Sequence, residues 1–339
     1  MSGKTIDKKL LAGVGISLCF MVLLFRKIDF DKVLLAFRAM DYRYLLPVVF
    51  LTFVSYYLRA VRWKYLLLPI KRTAMANLFP ATIIGYMANN ILPARLGEFV
   101  RAYVLGQKEE IETSAVFATL VVDRLFDGFT VLLILLITFF TVKLPAGMEN
   151  VQDGLKMGGY VTLGVYLVVL SFLFLLKKRT MRTIHVVGVL LRPFPVKVSE
   201  KVIPLLGSFI SGIRLSSRPS EILILLFTSF AVWATCIWPL HLILQSFNIT
   251  LPITASMLIM VFLVFAVMVP ASPGYVGTYH AACVYGLMAF NIPKEQSLSV
   301  ALVMHGTGFF PVIVAGFYYL WRDKVSLKKI SENSGQRRN

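Results

Sequence analysis

Apolar runs of near-bilayer length recur along the whole chain, and no other feature restricts its fold so far. A helix needs ~20 mostly apolar residues to cross the ~30 Å hydrocarbon layer. Runs approaching that length lie at Leu10 to Phe25, Tyr44 to Leu58, Leu78 to Leu92, Ala115 to Val142, Met157 to Leu176, Ile222 to Leu244, Ile253 to Val269 and Leu298 to Trp321. Backbone in lipid must satisfy its own hydrogen bonds, so the runs predict helices. The expectation is an all-α polytopic integral membrane protein of about 7–9 spans. With 58% hydrophobic residues, 15% charged residues and a mean hydropathy of +0.75, a soluble enzyme of this size is excluded.

A net charge of +18 would suggest nucleic acid in a soluble chain. Here Lys and Arg cluster between apolar runs, which reads as topology and attraction to anionic headgroups, so no nucleic-acid partner is expected. Lys4, Lys8 and Lys9 precede the first run, and no small-residue cleavage site follows it, so the run is read as an uncleaved span. Arg59, Arg62, Lys64, Lys71 and Arg72 read as the basic flank of the second span, with Trp63 and Tyr65 as interface anchors. The densest basic stretch, residues 177–220, reads as a cytoplasmic loop, and both chain ends are expected on the same side. Cys19, Cys236 and Cys283 sit in apolar sequence without CxxC spacing and imply neither a disulfide nor a metal. One membrane domain, 1–322, and a cytoplasmic tail, 323–339, follow from this pattern.

Two spans are broken. Asn89, Asn90 and Pro93 end the third run, and Pro93-Ala94-Arg95-Leu96-Gly97 opens a short helix-like stretch, 93–106. Pro270-Ala271-Ser272-Pro273-Gly274 ends the seventh run, with Gly277 close behind, and opens the stretch 270–290. Both breaks share P-A-x-x-G and fall in segments of opposite sense. That is the sequence sign of an inverted repeat whose broken helices meet near the midplane. Irregular backbone at that depth requires cover by protein or a watery cavity, which here would serve a polar group.

Charges cluster at the first break, where an ionic group costs roughly 2.5–3.5 kcal/mol or more. Arg95, Glu98 and Arg101 recur at three-residue spacing on one helix face, opposite Phe99, Val100 and Val104. They are read either as an interfacial helix facing water or as a lipid-headgroup site. Asp123 and Asp127 share a helix face and Arg124 can pair with either; with His305 they are coupling charges or structural ones. Ser272, Gly274, Tyr279 and His280 complete the candidate headgroup set with Arg124. No HxxxH or HExxH joins His280 to His305, so both are read as interior histidines, without metal or other cofactor. Gly274 and Gly277 read as a tight turn that can also present N–H groups to phosphate.

The motifs NNILPARLGEFVRAYVLG, VVDRLFDG and MVPASPGYVGTYHAA, in that order, resemble the lysylphosphatidylglycerol synthase/flippase transmembrane family over about residues 10 to 322. The resemblance implies a flippase-like domain moving lipid between leaflets of the prokaryotic cytoplasmic (inner) membrane. Its partners would be membrane lipids, an anionic or aminoacylated phospholipid or a polyprenyl phosphate, together with a lipid-synthesising enzyme. The chain ends soon after its last span, so the family's soluble aminoacyl-transferase domain and its synthase chemistry are not expected. Direct ATP drive is not expected either, because no Walker A motif is present. The alternative is an intramembrane enzyme, or an accessory subunit, modifying a lipid-linked glycan or phospholipid. Glu98 with His280 or His305 would be its only acid/base constellation.

Overall fold

The computed structural model describes residues 8–26, 28–92, 96–145, 149–178, 219–268 and 273–324, with short pieces between 185 and 203. Pro93, Ala94, Arg95, Pro270, Ala271, Ser272, most of the basic loop and the tail beyond 324 lie outside them. The described residues are helical, without strands. In order they form α1 (Lys8–Phe25), α2 (Phe30–Ala39), α3 (Leu45–Leu67), α4 (Met75–Ile91), α5 (Gly97–Glu109), α6 (Thr113–Thr141) and α7 (Glu149–Lys178). After the basic loop come α8 (Pro219–Ser246), α9 (Ile253–Met268), α10 (Thr278–Met288) and α11 (Lys294–Arg322). Tyr42–Leu67, Ser220–Ser246 and Lys294–Arg322 are, by length and composition alone, long and apolar enough to cross a bilayer. The 29 residues of α6 reach about 43 Å at 1.5 Å per residue.

Contacts at the helix ends sort the molecule into two faces. On one, Lys71 and Asn77 bind Glu109, and Lys108 pairs with Asp323 beyond α11. On the other, Lys294 donates to the carbonyls of Leu23 and Arg26, the Asp41 amide donates to Ser246, and Gln296 donates to the Phe247 carbonyl. Thus α3 and α11 run from face to face, while α1 and α8 end on the second. The second span continues to Leu67, beyond Leu58, because Arg59 and Arg62 are buried in the helix instead of flanking it.

The two short pairs do not cross. The 17 residues of α4 and the 13 of α5 form an antiparallel hairpin, since Asn77 meets Glu109 near its base and Asn89 meets Gly97 near its tip. Glycine permits that return. A Cβ on Gly97 would run into the Gly85 carbonyl, and one on Gly85 would lie 2.7 Å from the Arg101 Cβ. The Asn89 side chain accepts from the Gly97 amide at 2.8 Å, satisfying one of the open amides at the start of α5. On the other side of the molecule α9 packs on α10, and Gly286 lies against Ile259 and Phe262. This hairpin enters from the opposite face, and the two tips touch: the Tyr275 hydroxyl donates to the Asn89 carbonyl at 3.4 Å.

Candidate functional site

Beside the first hairpin, α3, α5, α6 and α8 bury an ionic network. Arg62, which has no exposed surface, is its hub. Its Nε donates to Asp123 Oδ1 at 2.7 Å, one Nη to Asp127 Oδ1 at 2.8 Å and the other to Ser229 Oγ at 3.0 Å. One helical turn away, Arg59 donates to Asp127 Oδ2 at 3.0 Å and reaches Cys236 Sγ at 3.8 Å. Arg124 donates to Asp127 Oδ2 at 3.1 Å and to the Tyr86 hydroxyl at 2.8 Å, and its Nε lies 3.3 Å from Glu98 Oε1. Asp127 stands fourteen residues after Thr113, about 21 Å along the helix axis, so the network lies deep among the spans.

Arg101 is the member held least. Its surface is almost wholly buried and its guanidinium lies 3.9 Å from the Trp63 ring, which is itself fixed by a 2.9 Å bond from Nε1 to Thr119 Oγ1. A single Nη donates to Asp123 Oδ2, at 3.3 Å, while Nε and the other Nη have no hydrogen-bond partner among the described residues. Arg59, Arg62, Arg101 and Arg124 face Asp123, Asp127 and Glu98, so among the described residues four cations meet three anions. Burying an unbalanced charge costs several kcal/mol. An anionic oxygen presented to Arg101 would supply both the missing charge and the missing acceptor.

The α5 surface differs from the amphipathic expectation. Phe99 is exposed, whereas Arg101, Val100 and Val104 are all buried, because α5 is clamped between α4 and α6. The reading of an interfacial helix with its charges in water therefore does not describe Arg101. The sequence reading also missed Arg59 and Arg62 as network members by assigning them to a basic flank. Their spacing carried the signal: Ser55, Arg59 and Arg62 follow i, i+4, i+7 on one face and all three are buried, while Lys64 lies off that stripe.

A second cluster sits at the tip of the other hairpin. His280 Nε2 and His305 Nδ1 lie 3.2 Å apart, although no sequence spacing joins them. Tyr279 stacks on His305 with ring centroids 4.9 Å apart, and Phe309 packs on its other side. Gly274 and Gly277 adopt left-handed φ of 73° and 95°, as the tight turn requires. The Gly277 amide is spent on His280 Nδ1 at 3.3 Å. The candidate residues thus form two neighbouring groups. Glu98, Arg101, Asp123, Arg124 and Asp127 join the arginine network; Gly274, Tyr279, His280 and His305 form the imidazole cluster; Asn89 and Asn90 lie where the tips meet. Arg95, Pro93, Pro270 and Ser272 fall outside the described residues, and Pro273 begins the described turn.

At the described tips the hairpins touch, the Tyr275 hydroxyl donating to the Asn89 carbonyl and Phe309 lying beside Gly274. The two cavities described lie elsewhere. One of about 460 Å³ is lined by Lys64, Tyr65 and Arg72, and an apolar one of about 700 Å³ by Phe53, Phe79, Phe310 and Tyr318. Among the described residues no group of three or more His, Cys, Asp or Glu side chains is placed to hold a metal.

Residues 10–316 match the family described as the lysylphosphatidylglycerol synthase TM region. The chain belongs to this family. Among curated relatives, a UPF0104 membrane protein of Methanothermobacter thermautotrophicus is 24% identical, the match covering 83% of this chain and 86% of the relative. A second UPF0104 membrane protein, from Methanocaldococcus jannaschii, is 22% identical over 89% of this chain and 91% of its own length. Glycosyltransferase AglD of Haloferax volcanii is 23% identical over 96% of this chain, but the match takes in only 56% of that protein. No solved structure matches the chain. Family and apolar helices together make this an integral membrane protein with a lipid-related setting.

Proposed function

We propose that this protein is a lipid translocase that carries an anionic headgroup, of a phospholipid or a polyprenyl phosphate, between leaflets while the chains stay in lipid. The observation that carries the reading is the surplus buried guanidinium: two nitrogens of Arg101 have no acceptor among the described residues, which in this network supply four cations and three anions. A phosphate group would suit these donors, since a guanidinium fork can bond two of its oxygens at once. The network adjoins two hairpins that enter from opposite faces and meet at their tips, the geometry by which inverted repeats build alternating access. The basic face bearing Lys64, Lys71 and Arg322 is the cytoplasmic one under the positive-inside rule. The protein then belongs in a prokaryotic inner membrane, and a lipid-synthesising enzyme is a natural partner.

The second reading, an accessory to lipid-linked glycan synthesis, is favoured by the match to a region of a longer glycosyltransferase. A reconstitution assay separates the two. Proteoliposomes carrying a fluorescent anionic phospholipid or a labelled polyprenyl phosphate should show leaflet exchange with no change in lipid mass. That exchange should be lost in Arg101→Leu and weakened in Arg101→Lys. A new lipid species, or exchange unchanged in Arg101→Leu, would refute the translocase reading.

A further inference from the structure

His280 and His305 can be assigned tautomers from hydrogen bonds alone. Because His280 Nδ1 accepts from the Gly277 amide, a neutral His280 carries its proton on Nε2 and donates it to His305 Nδ1. His305 then accepts at Nδ1 and carries its own proton on Nε2. The chain of bonds leaves the turn at Gly277 and passes from one ring to the other. It has two links, each already holding one hydrogen. A proton added to either ring overfills one link whatever tautomers the rings adopt, setting two N–H groups against each other.

We infer that the His280–His305 pair is a binding site for a single proton, and that filling it unclasps the Gly274–Gly277 turn from the imidazoles and separates the two hairpin tips. A hydronium ion gives a proton to the lone pair of one ring nitrogen, so that an N–H bond forms, an O–H bond of hydronium breaks and water leaves, and the pair gains one positive charge. The Gly277 link is the one that yields, because the turn is already under backbone tension. Gly274, Tyr275 and Gly277 all sit at left-handed φ, of which only the two glycines are at ease there. Tyr275 carries the bond to Asn89, so release of the turn loosens the contact with α4.

The surroundings leave the pair free to act. Tyr279 and Cys283 face it from its own helix, and Cys236 of α8 lies beside Tyr279, with Arg59 and Asp127 beyond that sulfur. Ser17 of α1 and Asn89 and Asn90 of α4 lie against the turn, and none of the three is ionisable. No described carboxylate or cation pairs with either ring. Asp123 and Asp127 are each bonded to arginines, so the histidines, not these carboxylates, are the groups with room for a proton.

The consequence for transport rests on the translocase reading, whereas the proton site does not, and the test keeps them apart. In lipid nanodiscs, spin labels at Ile91→Cys and Val276→Cys, in a background with the three native cysteines replaced by serine, report the gap between the tips. Lowering the pH from about 8 to about 4 covers the imidazole range with allowance for burial. The distance should lengthen with a one-proton midpoint in the parent, and stay fixed in His280→Gln and His305→Gln. Ring-nitrogen NMR needs no variant beyond those that assign the four histidines, and should show both rings as Nε2–H tautomers at high pH and one added proton per pair at low pH. A distance that ignores pH, a pH response retained in both glutamine variants, or two rings neutral throughout would overturn the inference. If the tips move with pH but no lipid exchanges between leaflets, the translocase reading fails and the proton site stands.

Discussion

Replacing Arg62 and Arg101 one at a time, each with Met, distinguishes an arginine that holds the fold from one that waits for a ligand. Arg62 donates to two carboxylates at 2.7 and 2.8 Å and to Ser229 at 3.0 Å, all buried. Hydrogen bonds to charged groups are worth ~1.5–3 kcal/mol each, so losing the two carboxylate bonds removes about 3–6 kcal/mol. That agrees with the ~3–5 kcal/mol found when a buried pair is broken on one side. Arg101 makes one 3.3 Å contact and stacks on Trp63, and its removal brings the network to three cations and three anions. Its loss should therefore cost only about 1–2 kcal/mol. Thermal unfolding of purified protein in one detergent should show a large fall in Tm for Arg62→Met and a small one for Arg101→Met, while leaflet exchange is lost in the second although it remains folded. Adding Asp123→Asn to Arg62→Met should restore part of the stability, since the stranded carboxylate is then neutral. Equal losses of stability in the two single variants would refute the division of roles, and so would an Arg101→Met protein that still moves lipid at the parent rate.

Gly97→Ala should destabilise by about 1–3 kcal/mol, because its Cβ would meet the Gly85 carbonyl and Asn89 and force the hairpin apart; urea or SDS unfolding reads the change. Asn89→Ala should cost about 1 kcal/mol by removing the acceptor for the Gly97 amide, measured the same way. Outside the spans, burial raises the Asp323 carboxyl but hydrogen bonds from Arg322 and Lys108 outweigh it, so its folded pKa lies below the usual 3.8. A lowered carboxyl pKa contributes stability above the unfolded value that disappears as pH falls through the folded one. The parent should thus lose Tm more steeply than Asp323→Asn below about pH 4. Cysteine labelling should place Arg322→Cys on the cytoplasmic side and Glu295→Cys on the other, since α11 runs between the faces; both on one side would overturn the topology.

What was legible in the sequence follows from local physics. Helix formation at Ile222 to Leu244 or Leu298 to Trp321 is dictated by apolar length, because lipid leaves the backbone no other partner, and α8 and α11 extend only a few residues beyond those bounds. The breaks near Pro93 and Pro270 are local too, as proline denies an amide and glycine tolerates positive φ. Asp123 and Asp127 share a face because four residues make about one turn. The same locality explains the misreading of Arg59 and Arg62: arginine after an apolar run carries the same short-range signature whether it faces water or Asp123. Only packing decides between those outcomes, because α6 and α8 come from distant sequence to bring Asp123, Asp127 and Ser229 around Arg62. The meeting of His280 with His305 and of Tyr275 with Asn89 is likewise tertiary, since each joins residues on separate elements at distances no periodicity encodes. The surplus charge at Arg101 is a balance among the described residues of three helices, α3, α5 and α6, and it exists only once they have packed.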